Sequence, residues 1–306
     1  MKKLHIYIET QKGIKDLEAA LAELAGMGVE VCVHSLLAEL KEMENCLQKT
    51  KETRPGQIVD RTLCLPCFQD KEDALIVTDV PQFASMLAAG GYPVLAYVHE
   101  GNKGCSLPHV KYVIEGFEDV DGGYFWRVWQ RLTGKPWYIT ETERCIIRET
   151  CEDDVDTFYE IYSEPSITAY MENLFAEKDA ELQYVKDYRE KVYEFYGFGM
   201  WTVLDKESGQ VIGRAGISMR EGYEEPELGF LIAKPFQGKG IAAEVCDAVL
   251  KFAQKEFGFV RFQALVHKDN LASLRVLQKL GFTYERTVVE RGETLELYIC
   301  AFPISI

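Results

Sequence analysis

The sequence predicts two domains in tandem, an α/β unit of parallel strands with crossover helices followed by an α+β unit. Three observations carry this. A chain of 306 residues is more than one core comfortably fills. In the first part short β-type runs alternate with helical patterns, the order that builds a parallel sheet. In the second part strands come in runs broken by helices, the α+β pattern.

In chain order, Leu4 to Ile8 reads as a strand, Ile14 to Met27 as a helix and Val29 to His34 as a strand, with a helical stretch opening at Leu36. After the turn-like Arg54-Pro55-Gly56 come Ala74 to Thr78, the helix Pro81 to Ala89, strands Pro93 to Val98 and Val110 to Ile114, and the helix Tyr124 to Leu132. Gly134-Lys135-Pro136 ends this accessory unit, assigned to 1–140, and the boundary falls at 137–143. The second unit, 144–306, opens with strand 144–148, helices 153–163 and 178–197, and antiparallel strands near 199–205, 210–219 and 227–233. Helix 239–256, strand 261–266, helix 270–280 and strands 283–290 and 294–301 complete it.

Composition is that of an ordinary globular protein, 47% hydrophobic and 27% charged, with no low-complexity tract or internal repeat. The net charge of −15 repels phosphate backbones and anionic lipid, so neither nucleic acid nor a membrane is an expected partner. Nine cysteines, an odd number, suggest buried thiols of a reducing compartment rather than a disulfide framework. The run Leu4 to Ile8 is too brief for a signal-peptide core, and no uncharged apolar stretch has membrane-spanning length. A cytoplasmic protein is expected.

The chemistry concentrates at one strand-to-helix junction. Glu227-Leu-Gly-Phe-Leu-Ile-Ala233 runs into Lys234-Pro235-Phe236, where proline stops the ladder, and then into Gln237-Gly238-Lys239-Gly240-Ile241-Ala242. The helix that follows is amphipathic through Ile241, Val245, Val249 and Phe252. Its N-terminus offers unpaired amides and the positive end of the helix dipole, and the glycines let backbone N–H groups close on an anion. A turn of this kind also serves plain packing. A second motif stands downstream, Asn270-Leu-Ala-Ser273-Leu-Arg-Val-Leu277-Gln-Lys-Leu-Gly281-Phe282, a helix with Asn at its start and Gly at its C-terminal cap.

Together these motifs resemble the GNAT superfamily of N-acetyltransferases, whose pyrophosphate loop is Gln or Arg, two residues, Gly, one residue, Gly or Ala. Gln237, Gly240 and Ala242 match it position for position, and the Asn270 to Phe282 segment is similar to the ribosomal-protein N-acetyltransferase branch. The resemblance covers about 160 residues and implies acetyl-CoA as cosubstrate and a primary amine as acceptor, with no metal. It implies that backbone groups of Phe230, Leu231 and Ile232 pair with the pantetheine arm as an added strand would. Amides of Gly238, Lys239, Gly240, Ile241 and Ala242 would hold the pyrophosphate, and the Asn270 side chain would reach the pantetheine while also capping its helix.

Acetyl transfer needs an amine lone pair, so a base must take a proton from an ammonium that is mostly charged at neutral pH. Glu227 is the first candidate, ten residues before Gln237 on the strand lining the acetyl group; with Glu224 and Glu225 adjacent, a plain exposed strand carboxylate is the competing reading, and Glu293 is the alternative base. Many family members protonate the departing thiolate with a tyrosine seven residues after the Asn, but that position is Leu277 here. Ser273 matches a serine proposed for the task in the ribosomal branch; a small packing residue is the competing reading. Glu221, Glu224 and Glu225, with Glu172, Glu177 and Asp179, lie where the family builds its acceptor site. They suggest a cationic acceptor such as a basic N-terminus, an aminoglycoside or a polyamine; solvated acidic faces are the simpler reading.

Other signals carry less. Cys64-Leu-Pro-Cys67 is a single C-x-x-C without a second pair. Asp119-Val-Asp121-Gly122 imitates a phosphatase nucleophile but is better read as an acidic helix N-terminus. Ala74 to Asp79 with Pro93 to Tyr97 resembles a late strand-helix-strand unit of the haloacid dehalogenase-like superfamily, so the first unit is expected to be Rossmann-like. No acidic pair follows its first strand, and a noncatalytic accessory module that regulates, forms a homodimer or binds the acceptor is expected. The five histidines, His5, His34, His99, His109 and His267, show no ligand spacing. Two further readings stay open: an acetyl-CoA sensor with weak catalysis, and phosphatase activity in the first unit.

Overall fold

A computed structural model describes residues 1–8, 17–34, 71–118 and 120–303. The chain divides into two compact units, Met1–Lys135 and Pro136–Ile306. Among the described residues no helix is long and apolar enough to cross a membrane. The stretch from Leu36, the turn at Arg54 to Gly56, the Cys64–Cys67 pair, Asp119 and the first residues of the expected opening helix lie outside the described residues.

The first unit contains β1 (Lys3–Tyr7), α1 (Glu18–Gly26), β2 (Glu30–Val33), β3 (Ala74–Thr78), α2 (Pro81–Ala89), β4 (Val94–Tyr97), β5 (Tyr112–Ile114) and α3 (Gly122–Thr133). Its sheet has the order β2-β1-β3-β4-β5 with every pairing parallel. Every residue of β3 and β4 is buried, as continuous apolar runs demand when helices cover both faces. Leu4, Ile6, Leu75, Val77 and Leu95 pack with Leu24 of α1 and Phe125 and Trp129 of α3. On the opposite face Tyr7, Ile76 and Ala96 pack with Phe83, Ala84 and Leu87 of α2. The acidic reading at Asp121 holds: its carboxylate accepts from Tyr124 N at 2.6 Å as the N-cap of α3. β1 also buries His5, which burial and the neighbouring His34 push down to about 4.

The second unit contains β6 (Tyr138–Glu141), β7 (Cys145–Arg148), α4 (Val155–Tyr162) and α5 (Lys178–Tyr188), which runs through a π-helical segment Arg189–Tyr193 into a last turn Glu194–Tyr196. β8 (Met200–Asp205), β9 (Val211–Ser218), β10 (Glu227–Ile232), α6 (Ile241–Phe257), β11 (Arg261–Val266), α7 (Leu271–Lys279), β12 (Thr283–Glu290) and β13 (Glu293–Ala301) follow. One sheet runs β12-β13-β11-β10-β9-β8-β7-β6. Residues 138–141, expected as part of the linker, form β6 instead. They pair antiparallel with β7, whose edge supplies the ladder that so short a segment could not signal alone.

The two faces of this sheet are closed by different helices. Trp201, Val203, Ala215, Ile217 and Leu228 form one core with Val245 and Val249 of α6 and Leu277 of α7. On the other side Leu231 and Ala233 pack with Phe158, Ile161 and Tyr162 of α4. Between β7 and α4, Arg148 donates to both carboxylate oxygens of Asp154 at 2.7 and 2.6 Å, and the Thr202 hydroxyl donates to the same group at 2.8 Å.

Candidate active site

β10 is where the second sheet opens. It pairs with β9 from Glu227 through Ile232, but with the parallel β11 only at Glu227 opposite Gln263. From there β11 continues on β13 as far as Val266. The two strands therefore diverge just past Glu227, along the side of β10 that faces β11. Side chains alternate through the opening, with Phe230 and Ile232 packed toward α6 and Leu231 buried toward α4.

The loop beyond β10 ends in two left-handed glycines, Gly238 at φ +75° and Gly240 at φ +80°, the latter immediately before α6. A Cβ at Gly238 would meet nothing within 4 Å, so the space in front of this turn is open. α6 starts without a side-chain cap, which leaves its first amides facing that space. Gln237 does not point there: its Nε2 donates to the Ile232 carbonyl at 2.8 Å and ties the loop to the end of β10. The Ile241 side chain is buried in the core, so only its backbone can serve a ligand.

A residue that the sequence did not suggest holds this loop. Arg144 donates to the Lys239 carbonyl at 3.0 Å through Nη1 and grips Glu244 through Nε at 2.8 Å. Its backbone N–H donates to the same carboxylate at 3.1 Å. Glu244 lies in the first turn of α6, where its charge would oppose an incoming anion; Arg144 neutralises it. The partners are 100 residues apart, so no local pattern announces them.

Glu227 sits where the strands part, with its side chain 16% exposed. Burial raises its pKa, while two bonds from Arg220 Nη1 at 2.9 and 3.2 Å pull it back. Arg220 also approaches Glu290 at 3.7 Å, and the Tyr223 hydroxyl donates to Glu290 at 2.7 Å. Neither Arg220 nor Tyr223 carries a sequence signal as a site residue, because folding brings Arg220 to Glu227 and Tyr223 to Glu290. Glu293 is exposed and lies opposite Glu290 at the β12–β13 turn.

Asn270 is the N-cap of α7, its Oδ1 accepting from Ser273 N at 3.1 Å. Leu277 is 1% exposed in the core, so its position on α7 faces the sheet. Two of the six acidic residues expected around the acceptor, Glu172 and Glu225, pair with arginines. Glu172 bonds Arg291 at 2.6 Å, Glu225 bonds Arg261 at 2.8 Å and Glu227 bonds Arg220. Glu221 and Glu224 are exposed, and Asp179 lies in the first turn of α5, where it complements the helix dipole. Tyr170 stacks on His267 with centroids 5.2 Å apart, bringing the α4–α5 connection over the loop that leads into α7.

Residues 144–283 match the model of the acetyltransferase (GNAT) domain. The chain is similar to the uncharacterized protein YkkB of Bacillus subtilis, at 28% identity over 157 residues, covering 50% of this chain and 90% of YkkB. It is also similar to the uncharacterized N-acetyltransferase YoaA of the same organism, at 27% identity over 150 residues, covering 48% of this chain and 84% of YoaA. Among solved structures, a putative GNAT-family acetyltransferase from Bordetella pertussis aligns at 25% identity and a TM-score of 0.46, covering 54% of this chain and all of that one. The C-terminal half of the chain is thus a GNAT acetyltransferase domain, and the protein is an acyltransferase.

Proposed function

We propose that the second unit transfers an acetyl group from acetyl-CoA to a primary amine. The observation that carries this is the divergence of β10 from β11 leading directly into the glycine turn at the uncapped start of α6. A strand edge that loses its partner suits an extended amide-bearing arm, and amides at a helix N-terminus suit a diphosphate. Phe230 to Ile232 would hold the arm through their backbone, and Gly238 to Ala242 the diphosphate, with Arg144 and Gln237 fixing the loop. Acetyl-CoA would supply an acyl thioester, already activated toward an amine.

Glu227 is the proposed base. Its raised pKa brings the carboxylate closer to that of an ammonium, which makes proton removal through an intervening water less uphill. Arg220 keeps the carboxylate charged and oriented for that transfer. Ser273, in the first turn of α7 behind the Asn270 cap, is the proposed donor of a proton to the departing sulfur. The side chain of Asn270 keeps its amide nitrogen for the pantetheine while its oxygen serves the cap. We assign the first unit an accessory, noncatalytic part.

Because Glu172 and Glu225 are each matched by an arginine, the acceptor region is less negative than its acidic residues suggest, so neutral amines belong beside cations as acceptors. Release of free thiol from acetyl-CoA by the full chain is expected with at least one member of a panel of N-terminal peptides, polyamines, aminoglycosides and neutral amines. Tight CoA binding with no thiol release for any acceptor would replace catalysis by a sensor role.

A further inference from the structure

The first unit brings together three metal-ligating side chains that lie far apart in sequence. β1 and β2 are parallel neighbours in the register His5 opposite Cys32, and His34 lies two residues beyond Cys32. Side chains two apart on a strand share a face, and residues opposite in a ladder share it too. His5, Cys32 and His34 therefore project from one face of the sheet. The β2 line is held as far as His34, whose N–H donates to the Ile6 carbonyl at 2.8 Å.

The ligand atoms converge. His5 Nδ1 and His34 Nε2 are in hydrogen-bond contact at 2.9 Å, and one ring nitrogen of each histidine together with Cys32 Sγ fall within 4.8 Å of one another. Two donors on one tetrahedral zinc are separated by about 3.3–3.8 Å, given bond lengths of about 2.0–2.3 Å. To seat an ion the two nitrogens open by about 0.4 Å and the thiol closes in by up to about 1 Å, movements within the rotamer freedom of the half-buried Cys32 and His34. The Tyr7 ring stacks on His34 with centroids 4.5 Å apart and planes 7° from parallel, which fixes the imidazole plane. Tyr7 is itself packed edge-on against Phe83 of α2 at 5.1 Å, so the support reaches into the core. The Cys32 thiol also reaches Glu30 Oε1 at 3.6 Å, a carboxylate that can take up the proton released when thiolate forms. Among the described residues no other three His, Cys, Asp or Glu side chains meet in this way.

We propose that His5, Cys32 and His34 form a three-ligand site for a borderline-soft divalent transition-metal ion of the Zn²⁺ class. Two imidazoles and one thiolate match that preference, and hard ions that require oxygen donors are excluded by the donor set. Three protein ligands leave a fourth position for water or an external donor. Because the donors come from two neighbouring strands, a bound ion would clamp β1 to the edge strand β2.

The test uses the full chain, stripped with chelator and titrated with Co²⁺, an optical stand-in for Zn²⁺. One equivalent is expected to produce a thiolate-to-cobalt charge-transfer band and intense tetrahedral d–d bands, both abolished by added Zn²⁺. Cys32→Ser is expected to remove the charge-transfer band with unchanged circular dichroism, and His34→Gln to weaken Co²⁺ binding by at least about tenfold. The double variant Cys64→Ser/Cys67→Ser is expected to leave the spectrum intact. Absence of any band in the wild-type chain overturns the proposal. So does a band that survives Cys32→Ser, including one that disappears only in the Cys64/Cys67 variant.

Discussion

Gly240→Ala isolates the contribution of the loop before α6. At φ +80° an L-residue costs about 1–2 kcal/mol more than glycine. The new Cβ would meet only Arg144 Nη2, at an ordinary 3.8 Å, so backbone strain is the whole effect. In the free variant the loop relaxes out of the left-handed region, and binding a diphosphate must restore it. That strain then appears in affinity, as a rise of about 5–30-fold in the Kd for CoA. Gly258→Ala is the matched control, since Gly258 caps the other end of the same helix at φ +71° with open space around its Cβ. Calorimetric titration with CoA, paired with thermal unfolding, should show both variants losing stability and only Gly240→Ala losing affinity. An unchanged Kd for Gly240→Ala, or an equal rise in Gly258→Ala, would refute the assignment of this loop to the diphosphate.

Three further outcomes are expected. Arg220→Gln removes the cation that pulls Glu227 down, so the pKa already raised by burial rises further. If Glu227 is the base, the acid limb of kcat/KM moves to higher pH, and an unmoved limb removes Glu227 from the role. Asn270→Asp keeps an acceptor for Ser273 N but loses the amide donor; the melting temperature should hold while KM for acetyl-CoA rises, and an unchanged KM leaves Asn270 as a cap alone. Asp154→Ala strands Arg148, whose side chain is 19% exposed, and should destabilise the fold by about 3–5 kcal/mol in urea unfolding at neutral pH. Burial opposes ionisation of Asp154, but bonds from Arg148 and Thr202 hold it below the usual carboxylate range. Its contribution is present above the unfolded value of about 3.9 and lost as pH falls through the folded one, so the gap between wild type and variant should narrow in acid.

Regular periodicity made most elements readable in advance. Residues Pro81 to Ala89 and Ala74 to Thr78 fold as their patterns indicate, and the strand, glycine turn and helix from Glu227 to Phe257 carry their own start and stop signals. β6 is not legible in advance because Tyr138 to Glu141 has little pattern of its own and exists as a strand through its partner β7. At the site, Gln237 fits the loop motif, yet its side chain closes the loop on Ile232 rather than facing the open space. Arg144, Arg220 and Tyr223 carry no local signal because their importance lies in what they touch.

The sequence by itself determined the order of strands and helices and the position of the glycine turn, because strand alternation, helical spacing and capping are local properties. Tertiary structure alone decided the rest. The divergence of β10 from β11, the paired state of Glu227, the Arg144 clamp and the meeting of His5 with Cys32 and His34 are all products of strand register and chain crossing. Such contacts join residues whose separation along the chain bears no fixed relation to their separation in space.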